Sequence, residues 1–443
     1  MEKKRVSKVW LGRTGFLGSL CLSVALPAFG FDAAPQPGAA EAQTVKSDET
    51  SKEAEGWHRD GLGLKKGKSS INVVGYAQGD FRKFDWEPKE TDLGPLRSSE
   101  RELARLRIGV KAEFDRLSFE FVADPRNSRK GDRIKDMTAG YAFSKKFAVL
   151  AGHFKPQVSP EFLTSAAKTD FIDRSMAADR LAPDRNWGVG LSGELGKLWY
   201  GIGGFAGDGA SPTLDAESSG TARLTFKPLK GFVVGGSFMQ GKVRADAKVG
   251  SHEPPPKGGQ GRTPTGFNFW ERAHVNGTRR RSGGDLAYTR GPFRIIGEFL
   301  ELREQRLGQG STGQDIPDVR GRGWSVQASY VLTGEKKDST VEPKKSIFQG
   351  GKGALEIVAR VEGLKFDDTG DPSGFAGYGN RARNIAPSGA SAIEAGLNYW
   401  ASNFLKFQGN AVWESYNDPL IAPVPGNKGR YFTLIGRIQV MVP

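Results

Sequence analysis

The chain has 443 residues, a formal net charge of +14, 60 glycines and one cysteine. Only 37% of residues are hydrophobic and the mean hydropathy is −0.47, which excludes a bundle of membrane helices; the single cysteine excludes a disulfide-stapled fold. The basic balance points to anionic partners: small anions, phosphorylated lipid or nucleic acid.

Residues 1–30 read as a secretory signal. Lys3, Lys4, Arg5, Lys8 and Arg13 form a charged start, and Gly15 to Ala28 is apolar but too short to span a bilayer. Ala28-Phe29-Gly30 offers small residues at a cleavage site after Gly30, and Cys21 lies inside the signal. Export makes nucleic acid the least favoured partner. Residues 31–68, rich in Ala, Pro, Glu, Lys and Ser, read as a disordered periplasmic tail or linker.

Alternation then governs the chain. In 101–114, Leu106, Ile108, Val110, Ala112 and Phe114 take one face, and Arg105, Arg107, Lys111 and Glu113 the other. The pattern restarts after Asp115-Arg116 with Leu117, Phe119 and Phe121, and again with Met137, Ala139, Tyr141 and Phe143. Extended over the chain it predicts strands at 70–83, 101–114, 117–124, 134–144, 147–154, 186–195, 198–206, 220–227, 232–244, 281–289, 293–303, 322–333, 354–366, 391–400, 404–416 and 430–442. Short turns such as Asp115-Arg116, Gly196-Lys197 and Arg290-Gly291-Pro292 alternate with long polar connections at 84–100, 155–185, 207–219, 245–280, 304–321, 367–390 and 417–429. One connection, 334–353, breaks this rhythm by being long and Lys-rich where a short turn is due. So many one-sided apolar strands with a charged reverse face predict an all-β fold: a sixteen-stranded antiparallel transmembrane β-barrel over 69–443, with lipid outside and water inside. Trp187, Trp324, Trp400, Trp413, Tyr330, Tyr399 and Phe432 fall near strand ends, where interfacial belts belong.

Several segments resemble the phosphate-selective porin O and P family. They are RLRIGVKAEF at 105–114, GHFKPQVSPEFLTSAAKTDFIDRS at 152–175, NWGVGLSG at 186–193, GWSVQASYVLTGE at 323–335, ALEIVARVEGL at 354–364 and AIEAGLNYWASNFLKFQGNAVW at 392–413. The resemblance implies a trimeric porin of the bacterial outer membrane with a narrow basic channel for phosphate or related anions. It further implies that the third outer loop, here 155–185, folds into the lumen and that a long periplasmic turn, here 334–353, joins it. The chain departs from the usual aromatic last residue, ending Val440-Met441-Val442-Pro443.

An oxyanion filter needs fixed positive charge, and the planar fork of Arg matches two phosphate oxygens. The candidate lining residues are Arg105, Arg107 and Lys111 on one strand and Arg223 and Lys227 on another. Lys155, Lys168, Arg174, Arg180 and Arg185 belong to the third loop, where Glu161, Asp170, Asp173, Asp179 and Asp184 balance them. Arg105, Arg107, Arg174 and Arg223 are the expected anion ladder. Inward cations that merely pair with inward acids are the competing reading. Arg279-Arg280-Arg281, the densest basic run, is a candidate contact for lipopolysaccharide phosphates.

No catalytic constellation, metal-ligand spacing or cofactor fingerprint stands out. GLGLKKGKS at 61–69 has Leu62 where a phosphate loop needs Gly, and Gly201-Ile202-Gly203 lies between strands with no helix after it. Two other readings remain: a barrel whose plugged lumen serves a structural or adhesive role, and a barrel-rim hydrolase using His274.

Overall fold

The computed structural model describes residues 58–60, 62–84, 101–126, 133–207, 217–244, 258–270, 272–310, 313–368, 388–417 and 429–442. The signal at 1–30, most of the 31–68 tail and the tips of several outer loops lie outside these residues.

Sixteen strands follow one another in sequence: β1 Ser69–Phe84, β2 Arg101–Phe114, β3 Leu117–Ala123, β4 Ile134–Ser144, β5 Phe147–Phe154, β6 Asn186–Leu195, β7 Leu198–Ala206 and β8 Ser218–Phe226. They continue with β9 Phe232–Val243, β10 Gly277–Arg290, β11 Phe293–Arg306, β12 Ile316–Val331, β13 Ala354–Asp368, β14 Ser388–Trp400, β15 Leu405–Tyr416 and β16 Arg430–Met441. Each pairs antiparallel with its neighbours, and β16 pairs with β1 from Thr433↔Phe84 to Met441↔Tyr76, which closes the barrel. Closure leaves no unpaired sheet edge, the condition for strands to cross a bilayer. The turn between β2 and β3 puts Asp115 at φ 53°, a left-handed value that Asp tolerates better than most residues.

The burial pattern is that of a membrane barrel. Ile393 is 59% exposed on the outer face of β14, and Ile108, Ile202, Leu224 and Ile438 are similarly open. The buried side chains of β16 are Tyr431, Thr433, Ile435, Arg437 and Gln439, which face the lumen. Outward aromatics form ring contacts where belts are expected: Trp413 with Phe432 at 5.0 Å and Tyr399 with Phe407 at 6.3 Å. Trp400 differs from the expectation. It is 1% exposed and turned inward beneath the Lys406 ammonium, 4.2 Å from the ring centre, because it ends β14 on the lumen phase.

Two further differences concern connections. Within 31–68, short strands at His58–Asp60 and Gly63–Lys66 pair with each other, and the second pairs with the start of β1. Within 245–280, Gly261–Arg262 and Asn268–Trp270 form a hairpin that turns back into the barrel. Its Phe267, Phe269 and Trp270 are buried against Leu300, Leu302, Phe366, Tyr416 and Tyr431, with Trp270 stacked on Phe366 at 5.4 Å. Inward apolar residues on β11 and β13 are therefore a seat for loops, which a uniformly polar lumen would not provide.

Candidate functional site

The connection 155–185 carries two short helices, α1 Pro160–Leu163 and α2 Met176–Arg180. Both start on serine caps: Ser159 Oγ accepts from Phe162 N at 3.0 Å, and Ser175 Oγ accepts from Ala178 N at 3.2 Å. Glu161 joins them by accepting from Ser175 N at 3.0 Å and from the Ser175 hydroxyl. Helix α2 lies directly on β12. A Cβ added to Gly323 would sit 2.8 Å from that of Ala177, so the approach requires glycine.

Between the helices the backbone is laced to the lumen wall. Gln78 donates to Ala166 O at 3.0 Å, Gln439 to Ala167 O at 2.9 Å, Lys406 to Thr169 O at 3.0 Å and Asn398 to Asp170 O at 2.9 Å. Arg437 donates to Ile172 O at 2.8 Å while its fork grips Asp80 at 2.6 and 2.7 Å. Arg360 meets Glu394 at 2.5 Å and Glu161 at 3.2 Å, stacks over Phe171 and donates to Asp173 O. From the long turn 334–353, the buried Lys337 reaches Asp170 and Glu356, each at 2.5 Å. The ammonium is held above the ordinary lysine range despite burial, because Asp170 and Glu356 flank it. The inward third loop and the periplasmic turn that joins it are thus both present.

The opposite flank of the loop is different. Lys155 and Arg174 converge on one ring, Phe162, at 4.7 and 5.3 Å from its centre. Neither pairs a carboxylate among the described residues: Lys155 donates to Phe162 O, and Arg174 to Thr164 O at 2.7 Å and Glu161 O at 3.3 Å. On β2, Arg105 donates to Gln78 Oε1 at 3.1 Å. Arg107 reaches Asp124 only at 3.7 Å, and Asp124 is shared with Arg126. Arg185 takes Asp136 with both fork arms, at 2.9 and 3.0 Å. On this flank the cations Arg105, Arg107, Arg126, Lys155, Arg174 and Arg185 lie among the acids Asp124, Asp136, Glu161, Asp173, Asp179 and Asp184.

Titration here is set first by burial and then by the neighbouring charges. Burial, then the charges of Arg185 and Arg174, push the Lys155 ammonium well below the ordinary lysine range. Burial also lowers the Arg174 guanidinium. Asp173 goes the other way: against the opposing effect of burial, Arg82, Arg437 and Arg105 hold it at about 2. Arg82 is its direct partner at 2.8 Å.

The remaining sequence-predicted residues divide. Lys111 pairs with Glu120 at 3.1 Å on the open wall, and Lys168 makes no ion pair among the described residues. Arg180 pairs with its neighbour Asp179. Arg223 is 4% exposed, bound to Asp285 at 2.7 Å and to Val158 O at 3.2 Å, so it belongs to the clamp holding the loop. Lys227 follows the end of β8, in the short turn to β9. Sequence reasoning did not single out Arg82 or Arg126: Arg126 shares Asp124 with Arg107, and Arg82, on the inward phase of β1, pairs with Asp173 and Asp80. His274 is buried, with its carbonyl accepting from Arg306 at 3.2 Å.

A closed sixteen-stranded barrel with an apolar exterior, a charged lumen and a loop folded across that lumen is an outer-membrane porin. The chain belongs to the phosphate-selective porin O and P family, whose model matches residues 71–430. Among solved structures, the anion-selective porin from Comamonas acidovorans is similar at 12% identity and TM-score 0.52, over 84% of this chain and 99% of that one. The outer membrane channel DcaP of Acinetobacter baumannii is similar at 11% identity and TM-score 0.52, over 84% and 97%. In-vitro folded OmpT of Vibrio cholerae is similar at 13% identity and TM-score 0.51, over 85% and 98%. No curated protein matches by sequence.

Proposed function

We propose that the protein passes small anions, phosphate or polyphosphate among them, by passive diffusion through the gap between the 155–185 loop and the β2–β5 wall. The observation that carries this is the trio Lys155, Arg174 and Arg105, whose hydrogen bonds go to neutral acceptors. A cation not spent on a carboxylate keeps its field for a passing anion, and in a narrow, partly desolvated gap that field acts at short range. The family description and the anion-selective porin among the structural relatives support the same sign of selectivity. Phosphate would be bound transiently by the Arg174 and Arg105 forks and handed on, with no energy input. We further propose a homotrimer, as the family resemblance implies.

The test is the reversal potential of the purified protein in a planar bilayer under a KCl gradient, repeated with added phosphate. Anion-selective current that phosphate blocks supports the reading; cation-selective current overturns it. A second reading, a plugged barrel, is favoured by the hairpin at 261–270 lying in the lumen beside the third loop. It predicts no current from well-folded protein.

A further inference from the structure

The outer face of β9–β13 changes character abruptly along the strands. In the outward phase, Leu286, Phe299, Trp324, Val326, Ile357 and Val361 form an exposed apolar band that ends at the pair Phe299↔Trp324. Two residues further on, about 7 Å along a strand, the same phase turns charged with Glu301 directly opposite Arg322, and the arginine row lies two residues beyond that. Arg280 stands directly opposite Arg303, Arg303 directly opposite Arg320, and Arg322 directly opposite Lys365. Like charges in cross-strand register repel and destabilise the sheet. Three acids offset them in part: Arg303 meets Asp318 at 2.8 Å, Arg320 meets Glu301 at 2.6 Å, and Asp367 is shared by Arg322 at 2.8 Å and Lys365 at 3.2 Å. Arg280 donates to Gln240 at 2.8 Å, and neither it nor the outward Lys242 pairs a carboxylate among the described residues.

The triple-arginine run read from the sequence contributes only its middle member. Arg279 is turned inward onto Glu304 at 2.6 Å, and Arg281 inward onto Leu181 O at 3.0 Å. The outward row is instead assembled across three strands, from Arg280, Arg303 and Arg320.

We infer that this row is a docking ledge for the phosphate groups of an outer-leaflet glycolipid, lipopolysaccharide of the lipid A type. Three features select that occupant. Acyl chains would cover the apolar band below. An aromatic edge, Phe299 and Trp324, marks the level where headgroups begin. The cations above it lie in a cross-strand row of forks that meet phosphate oxygens two at a time. Binding would relieve the like-charge repulsion that the acids leave uncompensated. The ledge is on the outside of the wall, so the inference is independent of what the lumen conducts.

The experiment titrates the folded protein in detergent with purified lipopolysaccharide and with its enzymatically dephosphorylated form, using native mass spectrometry to read bound lipid. The variants are Arg280→Gln alone and Arg280→Gln/Arg303→Gln/Arg320→Gln together. Single-channel conductance and heat-modifiability on gels are recorded on the same samples. The expected result is tenfold or greater loss of lipid binding for the triple variant and for the dephosphorylated lipid, a smaller loss for Arg280→Gln, and unchanged conductance. Equal binding of both lipid forms, or binding indifferent to the substitutions, overturns the inference. So does equal retention of phosphatidylglycerol, or displacement of the lipid by millimolar inorganic phosphate, which would make the ledge a generic anion surface. If the triple variant misfolds on the gel, the Arg280→Gln comparison decides, because among the described residues that side chain hydrogen-bonds to Gln240 and pairs no carboxylate.

Discussion

The two sides of the lumen use charge in opposite ways. Along β13–β16 and β1, most inward charges are dry and paired: Arg360, Arg437 and Glu356 are 0% exposed at the side chain, as is Lys337 reaching in from the long turn, each within reach of an opposite charge, while the buried Lys406 donates to Thr169 O. Along β2–β5 they are wetter: Lys111 is 52%, Glu120 33% and Arg107 15% exposed. The third loop lies between, its backbone and Glu161, Asp170 and Asp173 turned to the dry wall and Lys155 and Arg174 turned to the other. A buried pair is costly to desolvate and far more costly to break, so it fixes position. An exposed cation contributes little stability, and one bound to carbonyls keeps a charge that no carboxylate cancels. Position on one wall and selectivity on the other are thus separate tasks given to the same residue types.

The largest effect that would break this contrast is removal of a clamp at its centre. Arg360→Met leaves Glu394 and Glu362 buried without their cation and should cost about 3–5 kcal/mol. The loop should detach from β13–β14, seen as a lower unfolding midpoint in detergent and a larger, noisier single-channel conductance. Arg223→Gln should act in the same direction, losing stability with little change in selectivity.

Next comes the other wall. Lys155→Gln and Arg174→Gln should lower the unfolding midpoint less than Arg360→Met does and move the reversal potential toward zero. Each charge is worth about 1 kcal/mol at contact distance in bulk water and more in a partly desolvated gap, so the anion to cation ratio should fall at least a few-fold. Selectivity that survives both changes while falling in Arg223→Gln would invert the assignment of the two walls.

The pH profile sharpens the same point. Because the Lys155 ammonium is pushed down, chiefly by burial, it is charged at low pH and neutralised as pH rises through a range below that of an ordinary lysine. Anion selectivity should therefore decline on the alkaline side before exposed lysines titrate, and Lys155→Arg should abolish the decline. On the acid side, Asp173 stays ionised until about pH 2, so the anchor at Arg82 should persist to that point. The smallest expected effect is that of Phe162→Leu. It removes the ring beneath two cations, about 0.5–1 kcal/mol for each, and should broaden the conductance distribution without changing its mean sign.

Much of the fold was legible because a strand's two-residue period records its environment directly. All sixteen strands lie where alternation put them, and the one connection that broke the long–short rhythm, 334–353, is the one that sends Lys337 to Asp170. The inward phase of Arg105, Arg107 and Arg223 was equally plain. What alternation could not assign was the partner. Arg107 and Arg223 share a phase and differ in role, because Asp285 on the next strand but one captures Arg223 at 2.7 Å. The inward hairpin left only a faint trace, the run Phe299-Leu300-Glu301-Leu302, where both faces of β11 carry apolar residues. Trp400 was misplaced for the reverse reason: a strand-end aromatic fits a belt or a lumen floor, and one residue of register decides which.

The sequence by itself determined that the chain forms a closed barrel, how many strands cross and which face of each is wet, since these depend on local periodicity and on satisfying the backbone in lipid. Only the tertiary structure decided which cations are consumed in buried pairs and which stay available, which long connections turn inward, and that arginines from three strands align on the outer face. Those outcomes depend on cross-strand register and on contacts between residues more than a hundred positions apart, such as Arg437 with Asp80 and Asn398 with Asp170, and no local pattern encodes them.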